Sequence, residues 1–242
     1  SKTRAIVLIN PNNPTGAVYD KALLQEVVEV AREHGLVVFS DEIYDKILYD
    51  EAQHTSIASL ADDVFFVTFG GLSKNYRVAG FRSGWLVVSG NKRLASDYID
   101  GLNILSSMRM CANVPCQSAI QTALGGYQSI NDLVNENGRL RIQRDVTTDM
   151  LNGIDGISCV KPKGAMYCFA KVDEKKFNIH NDEQMVLDLL SSEKILLVHG
   201  RAFNLTEGTY FRLVFLPHSD VLVPALHRIG NFFRTYKQRG IA

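Results

Sequence analysis

The sequence lacks three things: an excess of one charge, a long apolar run and a signal-peptide layout. Its 26 basic and 26 acidic residues give a formal net charge of zero, so electrostatics offer no case for a nucleic-acid or membrane-surface partner. No apolar run reaches the roughly 20 residues that a membrane-spanning helix needs. The segment that begins at Ser1 has no signal-peptide pattern. We therefore expect a cytoplasmic protein with neither nucleic acid nor membrane as its partner.

Cysteine and histidine are also scarce and scattered. Of the four cysteines, Cys111 and Cys116 are spaced more widely than the Cys-x-x-Cys of zinc and redox sites. None of the six histidines has a second ligand at metal-binding spacing. The sequence therefore predicts reduced thiols and no metal site.

What the sequence does contain is a set of short, continuous apolar runs alternating with helical patterns. Asp20 is placed to cap a helix that runs to about His34, and Gly35 ends it. Uninterrupted apolar strands between helices indicate a sheet covered on both faces, hence an α/β fold with a mainly parallel sheet. The four predicted strands are Ala5–Asn10, Leu36–Ser40, Val64–Phe69 and Trp85–Ser89.

The pattern changes towards the C-terminus. The sequence predicts helical structure over Asn91–Ser129, interrupted by Pro115, and a long helix over Ile130–Leu151. Short strands and turns follow, which predicts a larger domain over residues 1–145 and a small α+β domain over residues 146–242. The elements expected in the small domain are strands at Ile157–Val160, Ala165–Phe169, Ile195–Val198 and Tyr210–Phe215, with helices at Asp182–Ser191 and Val221–Lys237.

Polar segments follow three of the predicted strands, at Asn10–Gly16, Asp41–Tyr44 and Gly70–Lys74. Ligands of parallel α/β sheets bind beyond the carboxyl ends of the strands. The convergence of three such segments at one edge of the sheet therefore predicts a binding site there.

Charge and hydrogen bonding suggest the kind of ligand. Asp41 ends an apolar strand, where an unpaired carboxylate is costly, so a cationic group should meet it. The small-residue loop that ends at Lys74, with Arg82 soon after it, suits a phosphate. A lysine beside a phosphate could form a Schiff base with an aldehyde cofactor. Alternatively, Asp41 only caps the next turn and Lys74 is a solvated loop residue. The loop is not a P-loop, because the Gly-Lys-Ser/Thr order is absent.

Taken in order, these segments resemble the fold-type-I aminotransferases of class I and II, and the resemblance covers nearly the whole chain. Two further runs, Asp41–Tyr49 and Ala112–Tyr127, are most similar to the bacterial glutamate–pyruvate (alanine) group. The motifs that carry the resemblance are Asn10–Gly16 (NPNNPTG), Asp41–Asp45 (DEIYD), Leu72–Lys74 (LSK) with Arg82–Trp85 (RSGW), Lys161–Tyr167 (KPKGAMY) and Phe211–Leu213 (FRL).

The resemblance implies pyridoxal 5'-phosphate as the cofactor and Lys74 as the catalytic residue that holds it. The freed lysine amine would move a proton between the substrate Cα and the cofactor. Asp41 would pair with the ring nitrogen and keep it protonated. Asn13 and Tyr44 would donate hydrogen bonds to the ring oxygen.

By the same resemblance, Ser73 and Arg82 bind the phosphate, and Arg212 binds the α-carboxylate of the substrate through a bidentate contact, with Asn13 also touching that carboxylate. Many relatives have a serine where this chain has Gly71, so one expected phosphate ligand is missing. The family also commonly has a cis bond within the asparagine loop, which we expect at Asn13–Pro14.

The asparagine loop lies near the middle of proteins of this family. The resemblance therefore places a stretch on the order of 150 residues, comparable to a domain, before Ser1. That stretch would supply a phosphate-binding turn and the residue that stacks on the cofactor ring. We expect the full-length protein to be a homodimer, and we expect this chain alone to bind cofactor weakly and turn over poorly.

The activity implied is transamination between an amino acid, alanine or glutamate, and a 2-oxo acid, pyruvate or 2-oxoglutarate. The same residues also serve β-lyases of this fold, because they stabilise every carbanion route. A third possibility is the cofactor-dependent sensor domain of an aminotransferase-like transcription regulator, which would need a basic DNA-binding segment upstream.

Overall fold

The structure is a computed structural model that describes residues 2–240. Its contacts divide the chain into two compact units. The first comprises the residues up to Asn12 together with Val18–Asn131, and the second comprises Asn13–Ala17 together with the residues from Asp132 onward. The domain division predicted after residue 145 falls inside a helix of the second unit, Arg139–Asn152.

The first unit contains a four-stranded sheet in the order β1-β2-β3-β4. The sequence predicts all four strands, with ends displaced by one or two residues. The first three are parallel, whereas β4 runs antiparallel to β3, because the connection over residues 72–83 turns straight back instead of crossing over the sheet. The strands are β1 (Ala5–Ile9), β2 (Val37–Asp41), β3 (Phe65–Gly71) and β4 (Gly84–Gly90).

Helix α1, Lys21–His34, covers one face of this sheet. Asp20 caps it by accepting a hydrogen bond from the backbone N–H of Leu23 at 2.9 Å, and Gly35 ends it in the left-handed conformation, as the sequence predicts. Its buried side chains pack with strand residues into one core that contains Leu24, Val28, Ala31, Val38 and Phe66.

Two further helices in this unit are α2 (Ser96–Arg109) and α3 (Val114–Gly125). The break between them precedes Pro115, which lies in the first turn of α3, where proline costs no hydrogen bond. Within the described residues, neither helix buries a side chain.

The single helix predicted over Ile130–Leu151 is wrong. The structure has a short helix, α4 (Asn131–Val134), and then α5 (Arg139–Asn152). Between them the Asn135 side chain accepts a hydrogen bond from the backbone of Asn137 at 3.0 Å. Such a local side-chain bond competes with the helix and favours a turn.

The second unit contains an antiparallel sheet in the order β5-β6-β8-β7. The strand predicted at Ile195–Val198 is shorter and begins later in the structure, where it comprises only Val198–His199. The strands are β5 (Ile157–Cys159), β6 (Tyr167–Val172), β7 (Val198–His199) and β8 (Thr209–Val214), and the helices are α6 (Glu174–Phe177), α7 (Asp182–Glu193) and α8 (Ser219–Thr235).

Strand β8 alternates between buried and half-buried side chains, and Cys168, Ala170 and Val172 of β6 are buried beside its buried residues. Cys168 lies 3.7 Å from the Thr148 hydroxyl of α5, and the Phe211 ring stacks on Phe233 of α8 with centroids 6.1 Å apart. The register pairs Phe169 with Arg212, and both are only partly buried. Since side chains alternate along a strand, the helices cover one face and leave Arg212 on the other.

Over residues 2–240, no helix is both long and apolar enough to cross a membrane. In the same range, no group of three or more side chains of the metal-binding kinds is assembled.

Candidate functional site

Asp41 is the last residue of β2, flanked by Ile9 of β1 and Phe69 of β3. One carboxylate oxygen, Oδ1, accepts a hydrogen bond from the backbone N–H of Ile43 at 3.1 Å, so the turn-capping role considered from the sequence is present. No cation pairs with this carboxylate among residues 2–240. Asp41 therefore keeps the capacity to pair with a positive group of a ligand.

Lys74 lies in the turn that follows β3. Its backbone carbonyl accepts from the N–H of Arg77 at 3.1 Å, and its Nζ lies 5.9 Å from the ring centroid of Tyr44. Tyr44 is buried, at 3% exposure, and Lys74 itself is partly buried. These placements argue against a fully solvated loop lysine. The structure thus brings two of the predicted cofactor residues to the same neighbourhood.

Glycines shape the strand ends next to Lys74. A Cβ on Gly70 would lie 2.4 Å from the indole nitrogen of Trp85, and one on Gly84 would lie 2.8 Å from the Gly70 carbonyl oxygen. A Cβ on Gly71 would meet three atoms at 3.2 Å, among them Ile43 Cδ1. A serine at position 71 would thus need its neighbours to shift by a few tenths of an ångström.

Ser73 and Arg82 each lie two residues beyond the pair formed by Gly71 and Gly84, which ends the β3–β4 ladder. The backbone N–H of Leu72 bonds to the Ser83 carbonyl at 3.0 Å and holds the two segments together. Arg82 is exposed, and its Nη1 donates to the Ala79 carbonyl at 2.9 Å. The role of Ser73 and Arg82 as phosphate ligands stays a prediction.

Glu42, next to Asp41, is a buried residue that sequence reasoning missed. Its Oε1 accepts hydrogen bonds from the hydroxyls of Ser40 at 3.0 Å and Ser56 at 2.9 Å. His54 Nε2 lies 3.7 Å from Oε2. Burial raises the pKa of the Glu42 carboxyl, although His54 and the two hydroxyls oppose this. This cluster fixes the backbone on either side of Asp41.

The asparagine-loop residues of the second unit are tied to the segment Lys161–Gly164. The Gly16 carbonyl accepts from the N–H groups of Lys163 and Gly164, each at 2.9 Å. The Asn13–Pro14 bond is cis, as predicted, and a second cis bond, which was not predicted, occurs at Asn10–Pro11.

The Lys161–Gly164 segment is itself anchored by a fully buried arginine. Arg144 of α5 donates from Nη1 to the Pro162 carbonyl at 3.2 Å and from Nε to Asp145 at 2.8 Å. Lys161 closes the group, 2.8 Å from the same carboxylate. A buried arginine within a polar helix has no signature in a sequence, so this support could not have been found from it.

Arg212 of β8 contacts Asn13, and the family resemblance implies substrate binding for both. Its Nη1 donates to Asn13 Oδ1 at 2.8 Å. The guanidinium carbon lies 4.6 Å from the Tyr167 ring centroid and 5.0 Å from that of Phe203. Its Nε is buried without a hydrogen-bond partner, and in the described part of the chain no carboxylate pairs with it. An anion would satisfy this cation.

Among the described residues, the fold is that of an α/β protein with an aspartate that has no cationic partner and a lysine after a strand end, plus an antiparallel unit with an arginine that no carboxylate pairs. The model of the family described as aminotransferase class I and II matches residues 1–229. The chain belongs to that family.

Similar proteins agree with this assignment. The chain is 60% identical over 238 residues to the glutamate-pyruvate aminotransferase AlaA of Haemophilus influenzae, covering 98% of this chain and 59% of that protein. It is 55% identical to the alanine aminotransferase of Mycobacterium bovis, covering 98% and 55%. The crystal structure of an aminotransferase from Escherichia coli superimposes with a TM-score of 0.97 at 58% identity, covering 98% and 59%. The chain thus spans less than two thirds of each relative.

Proposed function

We propose that this chain is part of a pyridoxal-phosphate-dependent aminotransferase that transfers an amino group between alanine or glutamate and a 2-oxo acid, pyruvate or 2-oxoglutarate. The observation that carries the proposal is the setting of Lys74, a partly buried residue after β3 whose amine makes no ion pair within residues 2–240. A lysine amine held in this way is suited to react with an aldehyde.

The residues of the first unit fit the cofactor's chemical groups. The carboxylate of Asp41, which has no cationic partner among the described residues, suits a protonated ring nitrogen. Tyr44 supplies a hydrogen bond for the ring oxygen, and the family resemblance implies the same role for Asn13, which belongs to the second unit. Ser73 and Arg82 supply a hydroxyl and a guanidinium for the phosphate.

When bound, pyridoxal phosphate supplies an aldehyde that reacts with amines and a ring that withdraws electrons from the substrate Cα. The protein's part is to hold and move protons. Asp41 would hold the proton on the ring nitrogen, and Lys74 Nζ would take the proton from the substrate Cα and deliver it to the cofactor carbon that carried the aldehyde. Arg212 binds the α-carboxylate through donors that Asn13 does not occupy.

The choice of substrates rests on the relatives, which are named glutamate-pyruvate and alanine aminotransferases. Arg212 recognises a group common to all α-amino acids, so it does not discriminate among them. A cytoplasmic homodimer stays a prediction for the full-length protein.

The test uses the full-length protein with added cofactor. Borohydride reduction followed by peptide mass spectrometry should place the cofactor on Lys74, and a panel of amino donors with pyruvate and 2-oxoglutarate should show amino transfer. Lys74→Ala should abolish both results, whereas Lys92→Ala, on an exposed short helix, should change neither.

Three outcomes would contradict the proposal. Release of ammonia or sulfide without amino transfer would favour the lyase, and stoichiometric cofactor binding without any turnover would favour the sensor domain. Attachment of the cofactor to another lysine would remove the central role of Lys74.

A further inference from the structure

Two aromatic rings from different elements contact the guanidinium of Arg212. Tyr167 begins β6, and its ring centroid lies 4.6 Å from the guanidinium carbon. Phe203 ends the short 3-10 helix Gly200–Phe203 that follows β7, and its ring centroid lies 5.0 Å away. A guanidinium over an aromatic face is attracted by the π electrons and keeps its in-plane N–H groups for acceptors.

The Phe203 ring is itself held in place by the sheet. Phe169, the cross-strand partner of Arg212, meets Phe203 edge to face with centroids 5.9 Å apart. Phe169 also stacks on Tyr210, with ring centroids 5.0 Å apart and ring planes inclined by 10°. These ring geometries are the ones aromatic pairs prefer. Phe169 and Tyr210 therefore hold the Phe203 ring in place, and the Phe203 ring in turn contacts the guanidinium.

The short helix that carries Phe203 is also anchored at its start. Asp182, the first residue of α7, is 3% exposed and accepts a hydrogen bond from the backbone N–H of Arg201 at 2.9 Å. Its other oxygen, Oδ1, lies 3.5 Å from the Arg201 Nε. This contact fixes the backbone two residues before Phe203.

The rings leave the hydrogen-bonding capacity of Arg212 largely unused. A guanidinium has five N–H donors, and the hydrogen bond from Nη1 to Asn13 uses one of them. The buried Nε has no partner. An aromatic face is at best a weak acceptor, so the rings orient the cation without competing for the in-plane hydrogen bonds that a carboxylate would accept.

We propose that Phe203 and Tyr167 are positioning residues that hold the Arg212 guanidinium in the orientation that receives the substrate α-carboxylate. This inference rests on the proposed function. Arginine has a long, flexible side chain. A cation–π contact with rings that the sheet holds in place limits the orientations that the guanidinium samples before the carboxylate binds. Loss of the Phe203 ring should weaken carboxylate binding and leave the proton transfers at Lys74 intact.

The experiment uses Phe203→Leu in the full-length, cofactor-loaded protein. The dissociation constant of propionate, which is alanine without its amino group, is measured by isothermal titration calorimetry. We expect it to rise about 3- to 30-fold, the range that the strength of one cation–π contact allows. The KM for alanine should rise by a similar factor, and kcat at saturating alanine should change by less than about threefold.

Two further variants separate positioning from general damage. Phe203→Tyr keeps the ring and should bind propionate as the wild type does. Phe232→Leu removes a ring of α8 that stacks on Tyr236 and has no contact with Arg212 among the described residues, so it should leave the dissociation constant unchanged. Circular dichroism and urea unfolding check that all three variants are folded.

A wild-type dissociation constant for Phe203→Leu would overturn the inference. So would equal weakening in Phe232→Leu, or a Phe203→Tyr variant as weak as Phe203→Leu. If the wild-type protein neither transaminates nor binds propionate, the proposed function itself has failed. If the wild type does both and Phe203→Leu matches it, only the positioning role has failed.

Discussion

Gly16 offers the most direct test of how the asparagine loop is held. It has a φ of +70°, and a Cβ added to it would lie 2.5 Å from the Pro162 Cβ and 3.0 Å from the Gly164 carbonyl oxygen. Gly35 has nearly the same backbone conformation, with a φ of +59°, but a Cβ there would meet nothing within 4 Å. The chain therefore contains a matched pair of glycines that differ in crowding.

The expected costs follow from these geometries. An alanine in the left-handed region costs about 1–2 kcal/mol, and Gly35→Ala should lose only this amount of stability. Gly16→Ala adds an overlap with backbone and a rigid proline ring, and overpacking of this kind costs about 1–3 kcal/mol more. We therefore expect losses of about 1–2 kcal/mol for Gly35→Ala and about 2–5 kcal/mol for Gly16→Ala.

The assays are urea unfolding of the full-length protein and steady-state kinetics. Asn13 lies three residues before Gly16 and contacts the charged Arg212 side chain. If the substitution displaces Asn13, the loss of its hydrogen bond to the charged Arg212 should weaken carboxylate binding by about 1.5–3 kcal/mol. This loss corresponds to a rise in KM of roughly 10- to 150-fold. Gly35→Ala should leave KM unchanged. Equal stability losses in the two variants, or an unchanged KM in Gly16→Ala, would refute the role assigned to the Gly16–Pro162 contact.

Two other predictions concern the first unit. Asp20→Ala removes the cap of α1, a hydrogen bond of 2.9 Å to Leu23, and should cost about 1 kcal/mol in urea unfolding, whereas Asp20→Asn should cost much less; equal losses would contradict the capping role. Because burial raises the pKa of Glu42, the folded protein holds that proton more tightly than the unfolded chain, and the free energy of unfolding falls as pH rises from the ordinary value of 4.5 through the folded pKa. Glu42→Gln should flatten this fall in pH-dependent unfolding curves, and an unchanged slope would show that the carboxyl is not responsible.

Much of the first unit could be predicted from the sequence because the relevant signals are local. Apolar runs with glycine and asparagine after them mark strands and their ends, and Asp20 with Gly35 marks both ends of α1. Asp41 and Lys74 follow strand ends, so the topology rule for parallel sheets was enough to associate them. The direction of β4 could not be predicted in this way, because the connection over residues 72–83 is long enough either to turn back or to cross over the sheet.

The second unit was harder because its site depends on non-local contacts. The pairing of Arg212 with Asn13 joins residues 199 positions apart, and only the resemblance to a family suggested it. Phe203 carried no signal, since an aromatic residue at the end of a turn is compatible with many positions. Its role depends on which residue of β8 stands opposite Phe169, and no sequence pattern sets that register by itself.

The register of β8 links the stability of this unit to its chemistry. Phe211 is fully buried beneath the helices, while Arg212, the next residue, lies on the half-buried face with Phe169 opposite. A slip of one residue would move every side chain of the strand to the other face. It would place the Arg212 charge against an apolar helix layer, at a cost of several kcal/mol, and would expose the Phe211 ring. Burial of the apolar residues of β8 therefore determines that Arg212 lies on the half-buried face. The aromatic rings on that face then only restrict the orientation of its guanidinium.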